Sequence, residues 1–188
     1  MKTFLTSFRM LAACSLLTGA LYPLAVWAIG QIAFRDRAEG SLLERDGHIV
    51  GSTLLAQKTT NPRYFWPRPS AGDYATVASG ASNLAWSSAK LARNTTEAAA
   101  AFRAANHLSA DTVVPADAIT TSGSGLDPEL SVAGVRLQAA RVAAARFYND
   151  ERRHALDALI TRLTRGGAFT PARVNVLELN LALDHDLP

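Results

Sequence analysis

The chain has 188 residues, with 19 Lys and Arg against 16 Asp and Glu, for a formal net charge of +3. Lys2 and Arg9 are the only charged side chains before Arg35, so the remainder carries 17 basic and 16 acidic groups. It therefore lacks the concentrated basic field that nucleic acid requires. The single cysteine, Cys14, sits inside an apolar run, which excludes a disulfide or a thiolate metal site from everything after it.

Met10 to Phe34 contains no Asp, Glu, Lys or Arg. As a helix it reaches about 37 Å, enough to cross a hydrocarbon core of about 30 Å. Gly19, Pro23 and Gly30 interrupt it, which a span tolerates where neighbours satisfy the freed backbone. The competing reading is a cleaved secretory signal, with Lys2 and Arg9 as its basic region and Val26-Trp27-Ala28 as a loose cleavage site. Bulky Trp27 beside the cut and the continuation to Phe34 favour an uncleaved anchor. Leu11-Ala12-Ala13-Cys14 has the look of a lipoprotein box, but the apolar run lies after the cysteine, and that reading is set aside.

The expected organisation is a cytoplasmic tail at 1–9, a transmembrane helix at 10–34 and one soluble domain at 35–188. About 150 residues suffice for a domain with its own core. Basic groups flank both ends of the run and decide orientation poorly. The order of short basic tail, apolar run and domain is that of a signal anchor in a bacterial inner membrane, with the domain outside the cytoplasm.

Arg35 to Gly47 reads as a polar exit from the membrane. His48 to Ala56 is β-branched and apolar and predicts one or two strands ending near Gln57. Three prolines between Asn61 and Ser70, interleaved with Tyr64, Phe65 and Trp66, forbid a helix and predict an extended loop. Its aromatics suggest a partner surface or, equally, a fold-back onto the domain's own core. Ala71 to Ser88 is a small-residue loop, and Ser87 to Leu108 an Ala-rich amphipathic helix.

Asp111 to Thr121 is expected as a strand broken by Pro115. Asp127-Pro128 carries the pattern of a helix start, with Asp as N-cap, and a helix is expected to run to about Tyr148. Asn149 and Asp150 punctuate it before a second helix, Glu151 to Leu163. Gly166-Gly167 and Pro171 make a turn, and Arg173 to Leu177 a strand that either extends or closes as a short helix through Asp184. The fold class is α+β, a membrane helix followed by one domain with a small mixed sheet and about three helices.

Candidate chemistry is sparse. Ser122-Gly123-Ser124-Gly125 could cradle an anion through its N–H groups, but no lysine accompanies it, and Asp127 and Glu129 add negative charge beside it. A fixed turn that docks neighbouring elements is the favoured reading. His48, His107, His154 and His185 are scattered, so no metal site is expected, and Asp184-His185-Asp186 reads as a solvated tail. No nucleophile, base and oxyanion donor assemble, so no catalytic residue is assigned.

Several ordered segments resemble the C subunit (KdpC) of the bacterial high-affinity potassium-transporting P-type ATPase. They are Gly51-Ser52-x-Leu54-Leu55-x-Gln57, Tyr64-Phe65-Trp66-x-Arg68-Pro69-Ser70-Ala71, Ser82-Asn83-Leu84, and Thr121 to Pro128. Two more follow, Gln138-x-x-Arg141-Val142-Ala143-x-Ala145-Arg146 and Arg173-Val174-Asn175-Val176-Leu177-x-Leu179-Asn180-Leu181-Ala182-Leu183-Asp184. Departures fall in loops: Ala56 where Gly is usual, Lys58-Thr59-Thr60 for a segment that often carries an aromatic, and Ala85-Trp86 for Gly-Pro.

The resemblance implies a non-catalytic, single-pass subunit of a complex that imports K⁺ at the expense of ATP hydrolysis. Its expected partners are a channel-like subunit, a P-type ATPase subunit and the membrane, with no nucleic acid. The implied role is assembly, together with raising the ATPase subunit's affinity for ATP, and Gln138 matches a glutamine proposed to contact nucleotide. No cofactor is expected to be firmly held: ATP enters only through the ATPase subunit, and K⁺ is the transported ion. Tyr64, Phe65, Arg68, Pro69, Ser70, Ser82, Asn83, Ser122, Gly123, Ser124, Gly125, Asp127 and Arg141 are the partner or structural candidates. The alternative is an unrelated extracytoplasmic binding domain, secreted or anchored.

Overall fold

The computed structural model describes residues 2–45 and 47–188, and the chain falls into two compact units, Met1–Ser52 and Thr53–Pro188. The first is dominated by one long helical rod, α1 (Lys2–Leu16), a π turn (Leu17–Leu21) and α2 (Tyr22–Ala33). It begins earlier than the uncharged run, taking Lys2 and Arg9 into its first turns. The π turn has a local cause. Pro23 lacks an N–H, and its ring would press on the Gly19 carbonyl four residues back, so the preceding turn widens and the Tyr22 N–H bonds to the Leu17 carbonyl. None of the rod's side chains is buried within the chain, and it is long and apolar enough to cross a membrane.

After a short helix, α3 (Arg35–Ala38), the stretch expected as a polar exit supplies one strand of a hairpin, whose other strand lies in the expected strand region and ends at Ser52, short of Gln57. β1 (Leu42–Arg45) pairs antiparallel with β2 (His48–Ser52), with a bulge between Leu43 and Glu44. β1, two leucines followed by Glu44 and Arg45, is too short and unalternating to announce itself and is ordered by its partner. Asp46 lies outside the described residues.

In the second unit, α4 (Ala89–Ala105) is capped by Ser88, whose Oγ accepts the Leu91 N–H. The expected strand around Pro115 is instead a helical turn, α5 (Ala116–Ile119). Pro115 pre-sets φ just before it, and the Thr120 hydroxyl and N–H both close onto the Ala116 carbonyl.

Asp127-Pro128 does not start a helix. Glu129–Ser131 is a strand, β3, and α6 (Val132–Ala145) begins four residues later than the expected start at Pro128, with Ser131 as N-cap to the Gly134 N–H. Tertiary pairing overrides the local cap signal: β3 takes its ladder bonds from β5, and that register buries Leu130 completely.

α7 (Asp150–Leu163) starts at an Asn149 cap, with Asp150 and Glu151 at the positive end of its dipole. The Gly166-Gly167 and Pro171 turn proves to be parts of β4 (Arg165–Gly167) and β5 (Thr170–Asn175), reversing about Ala168 and Phe169. α8 (Val176–Asp186) then closes the chain, capped by Asn175. The sheet order is β3-β5-β4, antiparallel throughout and not mixed. For β4 and β5 the two-residue reversal permits only that, since a parallel pair needs a long crossover. Helices α6, α7 and α8 supply most of the core around Leu130, Val135, Val142, Leu156, Ile160, Leu179 and Leu183.

Candidate functional site: an aromatic loop gripped by two helices

Residues 61–70 form no helix and belong to no sheet: a turn over 62–64, closed by the Tyr64 N–H on the Asn61 carbonyl, leads into an irregular stretch from Phe65. Their backbone polar groups must still be satisfied, because Phe65 is wholly buried in the core and carries the chain in with it. Side chains of α6 and α8 do this. The Asn180 amide accepts the Phe65 N–H at 2.8 Å and donates to the Phe65 carbonyl at 2.9 Å. The Gln138 amide does the same for Trp66, accepting its N–H at 2.7 Å and donating to its carbonyl at 3.1 Å. Each amide thus imitates the edge of a neighbouring strand.

Arg141 fastens the preceding residues. Its guanidinium donates to the Pro62 and Tyr64 carbonyls, to Asn106 Oδ1 and to Gln138 Oε1, and lies 4.0 Å from the Trp66 ring centre. Every one of these acceptors is neutral. Burial lowers its pKa to about 10, still well above neutrality, so it remains a cation held by dipoles and the face of an indole. One turn on, Arg146 donates to the Arg63 carbonyl and pairs with Asp184 at 2.6 Å, while the Tyr64 hydroxyl donates to the other Asp184 oxygen. For Arg146, burial pulls the pKa down, and hydrogen bonds with Asp184 and Tyr148 outweigh that and raise it.

This geometry corrects the idea that the loop's aromatics form a partner surface. Phe65 is core, and Tyr64 is turned onto Asp184. Asp184-His185-Asp186, expected as a solvated tail, forms the last turn of α8: Asp184 is partly buried in the clamp, while His185 and Asp186 are exposed. Asn180, Asn106, Arg146 and Asp184 were not singled out. Asn180, Arg146 and Asp184 stand inside the ordered segments quoted above, but an isolated Asn or Arg carries no pattern that marks it as a clamp.

A second cluster abuts the loop's far end. Arg68 pairs with Asp127 at 2.8 Å, and Asp127 also accepts the Glu129 N–H. The buried Nε of Arg68 has no acceptor among the described residues. Tyr74 donates to the Arg68 carbonyl, and its N–H bonds to Ser70 Oγ. The Ser122-Gly123-Ser124-Gly125 turn docks onto the 70–80 segment: the Ser124 carbonyl accepts the Gly80 N–H and the Ser79 hydroxyl. Gly125 has φ +69, and a Cβ there would stand 2.8 Å from the Gly80 oxygen, so the turn is closed against backbone. Ser122 is buried and its Oγ accepts the Asp127 N–H, whereas Gly123 is exposed. Pro69 is half-buried. Ser82 and Asn83 are exposed in the following loop, apart from either cluster in their bonding, with Asn83 left-handed at φ +52.

The family model for the K⁺-transporting ATPase c chain, KdpC, matches residues 4–185. A potassium-transporting ATPase KdpC subunit from Mycobacterium bovis (strain BCG / Pasteur 1173P2) is 48% identical over 188 residues, covering 97% of this chain and 98% of the relative. The subunit of that name from Paraburkholderia phymatum is 44% identical over 189 residues, covering 97% and 95%. Its counterpart from Cereibacter sphaeroides is 46% identical over 181 residues, covering 93% and 92%.

Proposed function

Because the chain belongs to the KdpC family of K⁺-transporting ATPase c chains, we propose that it is the accessory, non-catalytic subunit of such a pump and acts by holding its other subunits together. The observation that carries this reading is the helical rod from Lys2 to Ala33. It is uncharged over most of its length and has no buried side chain within its own chain, so it calls for lipid and neighbouring helices. Small residues at Ala12, Ser15, Gly19 and Ala20 allow close backbone approach there. A Cβ on Gly19 would meet nothing within 4 Å of this chain, so a demand for glycine at that position would come from a partner.

The domain is the second attachment, and two linked attachments gain from effective concentration. We place the N-terminus in the cytoplasm and the domain at the extracytoplasmic mouth of the channel-like subunit, following the signal-anchor order of the sequence. In this reading Gln138 belongs to the clamp and not to nucleotide. What supports that assignment is its full burial and the use of both ends of its amide by Trp66 and Arg141. The potassium ion passes through the partner, and no residue here is assigned to it.

The test has two arms. A reporter active only in the cytoplasm, fused after Pro188, should be silent, and an active one would reverse the orientation. Deleting residues 2–33 should abolish co-purification with the channel-like and ATPase subunits and lower K⁺-stimulated ATPase. Full recovery of an active complex without the rod would defeat the assembly role. Detection of a mature chain starting near Ile29 would favour a secreted binding domain instead.

A further inference from the structure

Between α4 and α5 lies a groove of about 580 Å³ that takes no part in the clamp. Its walls include Leu91, Ala92, Ala99 and Ala116, together with Trp86 and Arg103. Three threonines also line it, yet each spends its hydroxyl on the carbonyl four residues back in its own helix. Thr95 bonds to Leu91, Thr96 to Ala92 and Thr120 to Ala116. The groove is thereby left more apolar than its residue names suggest. Trp86 is 97% exposed, an unusual state for the largest apolar side chain. Arg103 is the only formal charge among the lining residues. Its Nε donates to the Thr112 carbonyl at 2.9 Å, and among the described residues it forms no ion pair.

We propose that this groove docks a segment of another subunit of the pump, with an apolar side chain against Trp86 and a carboxylate on Arg103. The proposal rests on the reading of this chain as an assembly subunit. Leu91 to Arg103 spans twelve helical residues, or about 18 Å. In extended form the docked segment therefore places its Asp or Glu about five or six residues from the side chain it seats on Leu91. A membrane surface fits less well. Anionic lipid is recognised by clusters of basic residues on a flat or protruding surface, and this site is concave with one cation.

The experiment places a photo-activatable benzoylphenylalanine at position 86 of the full chain, in membranes containing the whole complex. At a 97% exposed position the exchange removes no packing. Irradiation should attach the chain to another subunit, at a peptide carrying Asp or Glu. Arg103→Glu should lower the yield about tenfold or more, whereas Arg103→Lys keeps most of it. Ala92→Glu, on an exposed groove wall whose side chain makes no hydrogen bond, should lower it likewise and guards against a folding defect in the Arg103 variants.

An intact complex whose photoproduct lies on lipid, on a second copy of this chain or on a segment without acidic residues overturns the groove proposal alone, as does the absence of any photoproduct. Failure of the unmodified chain to co-purify with any pump subunit overturns the assembly reading and this proposal together.

Discussion

Gln138 and Asn180 stand on two different helices and hold the peptide groups of adjacent residues in one extended segment. Asn180 takes both polar groups of Phe65, and Gln138 takes both polar groups of Trp66. In an extended chain, successive peptide groups face opposite ways, so two partners on two elements are what such a segment needs when no sheet flanks it. The arrangement makes the loop a wall between α6 and α8 and places Phe65 in the core.

Removing the Gln138 amide should therefore cost stability. Gln138→Ala leaves a buried N–H and carbonyl of Trp66 and one N–H of Arg141 without partners, each worth about 1–3 kcal/mol. Chemical denaturation of the full chain should show a loss of about 3 kcal/mol or more. Gln138→Glu keeps an acceptor for Trp66 and Arg141 and sets its charge beside the Arg141 cation, but loses the donor to the Trp66 and Gly134 carbonyls, so its cost should be smaller than that of Ala. In assembled complex, Gln138→Glu should leave the KM for ATP unchanged. A raised KM in a stably folded variant would return Gln138 to a nucleotide role.

The amphipathic pattern of α4, the proline-stiffened loop and the α7 boundaries were legible in the sequence because each rests on local chemistry. β1, β3 and β4 were not. Each is three or four residues long, β1 lacks the period-2 alternation of a strand and β4 is glycine-rich, so their existence depends on a partner strand and not on propensity. The clamp was half legible. Gln138 and Arg141 stood out, but their targets are backbone groups 72 to 79 residues away in the chain, and nothing local encodes that pairing.

Asp127 offers a sharper test than the capping role its neighbours suggest. Asp127→Asn keeps an acceptor for the Glu129 N–H but removes the charge facing Arg68. The pair is only partly exposed, at 21% and 32% of side-chain area, so a loss of about 1 kcal/mol is expected. A double-mutant cycle with Arg68→Gln should recover most of that as coupling, and zero coupling would mean that the pair is incidental. Ser131→Ala, at the true cap, should cost about 1–2 kcal/mol. Its hydroxyl also donates to Asp117, which puts it at the upper end.

Asp186 gives the pH prediction. A hydrogen bond from His185 Nδ1 at 2.7 Å, and then the Arg162 guanidinium, hold its pKa below the ordinary 3.8. A carboxyl with a depressed folded pKa contributes stability that is present above its unfolded value and is lost as pH falls through the folded one. Loosening of the last turn of α8 should therefore come progressively as pH falls through 3.8 toward the lower folded value. NMR titration of the Asp186 side chain should give a midpoint under 3.8. His185→Ala should move the midpoint up, and no movement would assign the shift to Arg162.

Two left-handed positions should respond in opposite directions to opposite substitutions. Gly125, at φ +69, faces the Gly80 oxygen, so Gly125→Ala meets both the left-handed penalty of about 1–2 kcal/mol and a 2.8 Å contact with backbone that cannot turn aside. It should destabilise the chain by more than that penalty and free the 70–80 segment, raising amide exchange at Gly80. Phe147, at φ +57, closes α6 where glycine is usual, and its side chain is 92% exposed. Nothing in the chain's own packing repays the conformation. Phe147→Gly should then raise stability by about 1 kcal/mol, the relief of the left-handed conformer less the entropy glycine brings to the unfolded chain. If the variant is instead less stable, the phenylalanine makes contacts in solution that its exposure here does not show. A variant that is more stable yet recovers fewer pump subunits on co-purification would mark Phe147 as a contact retained for assembly at the expense of folding.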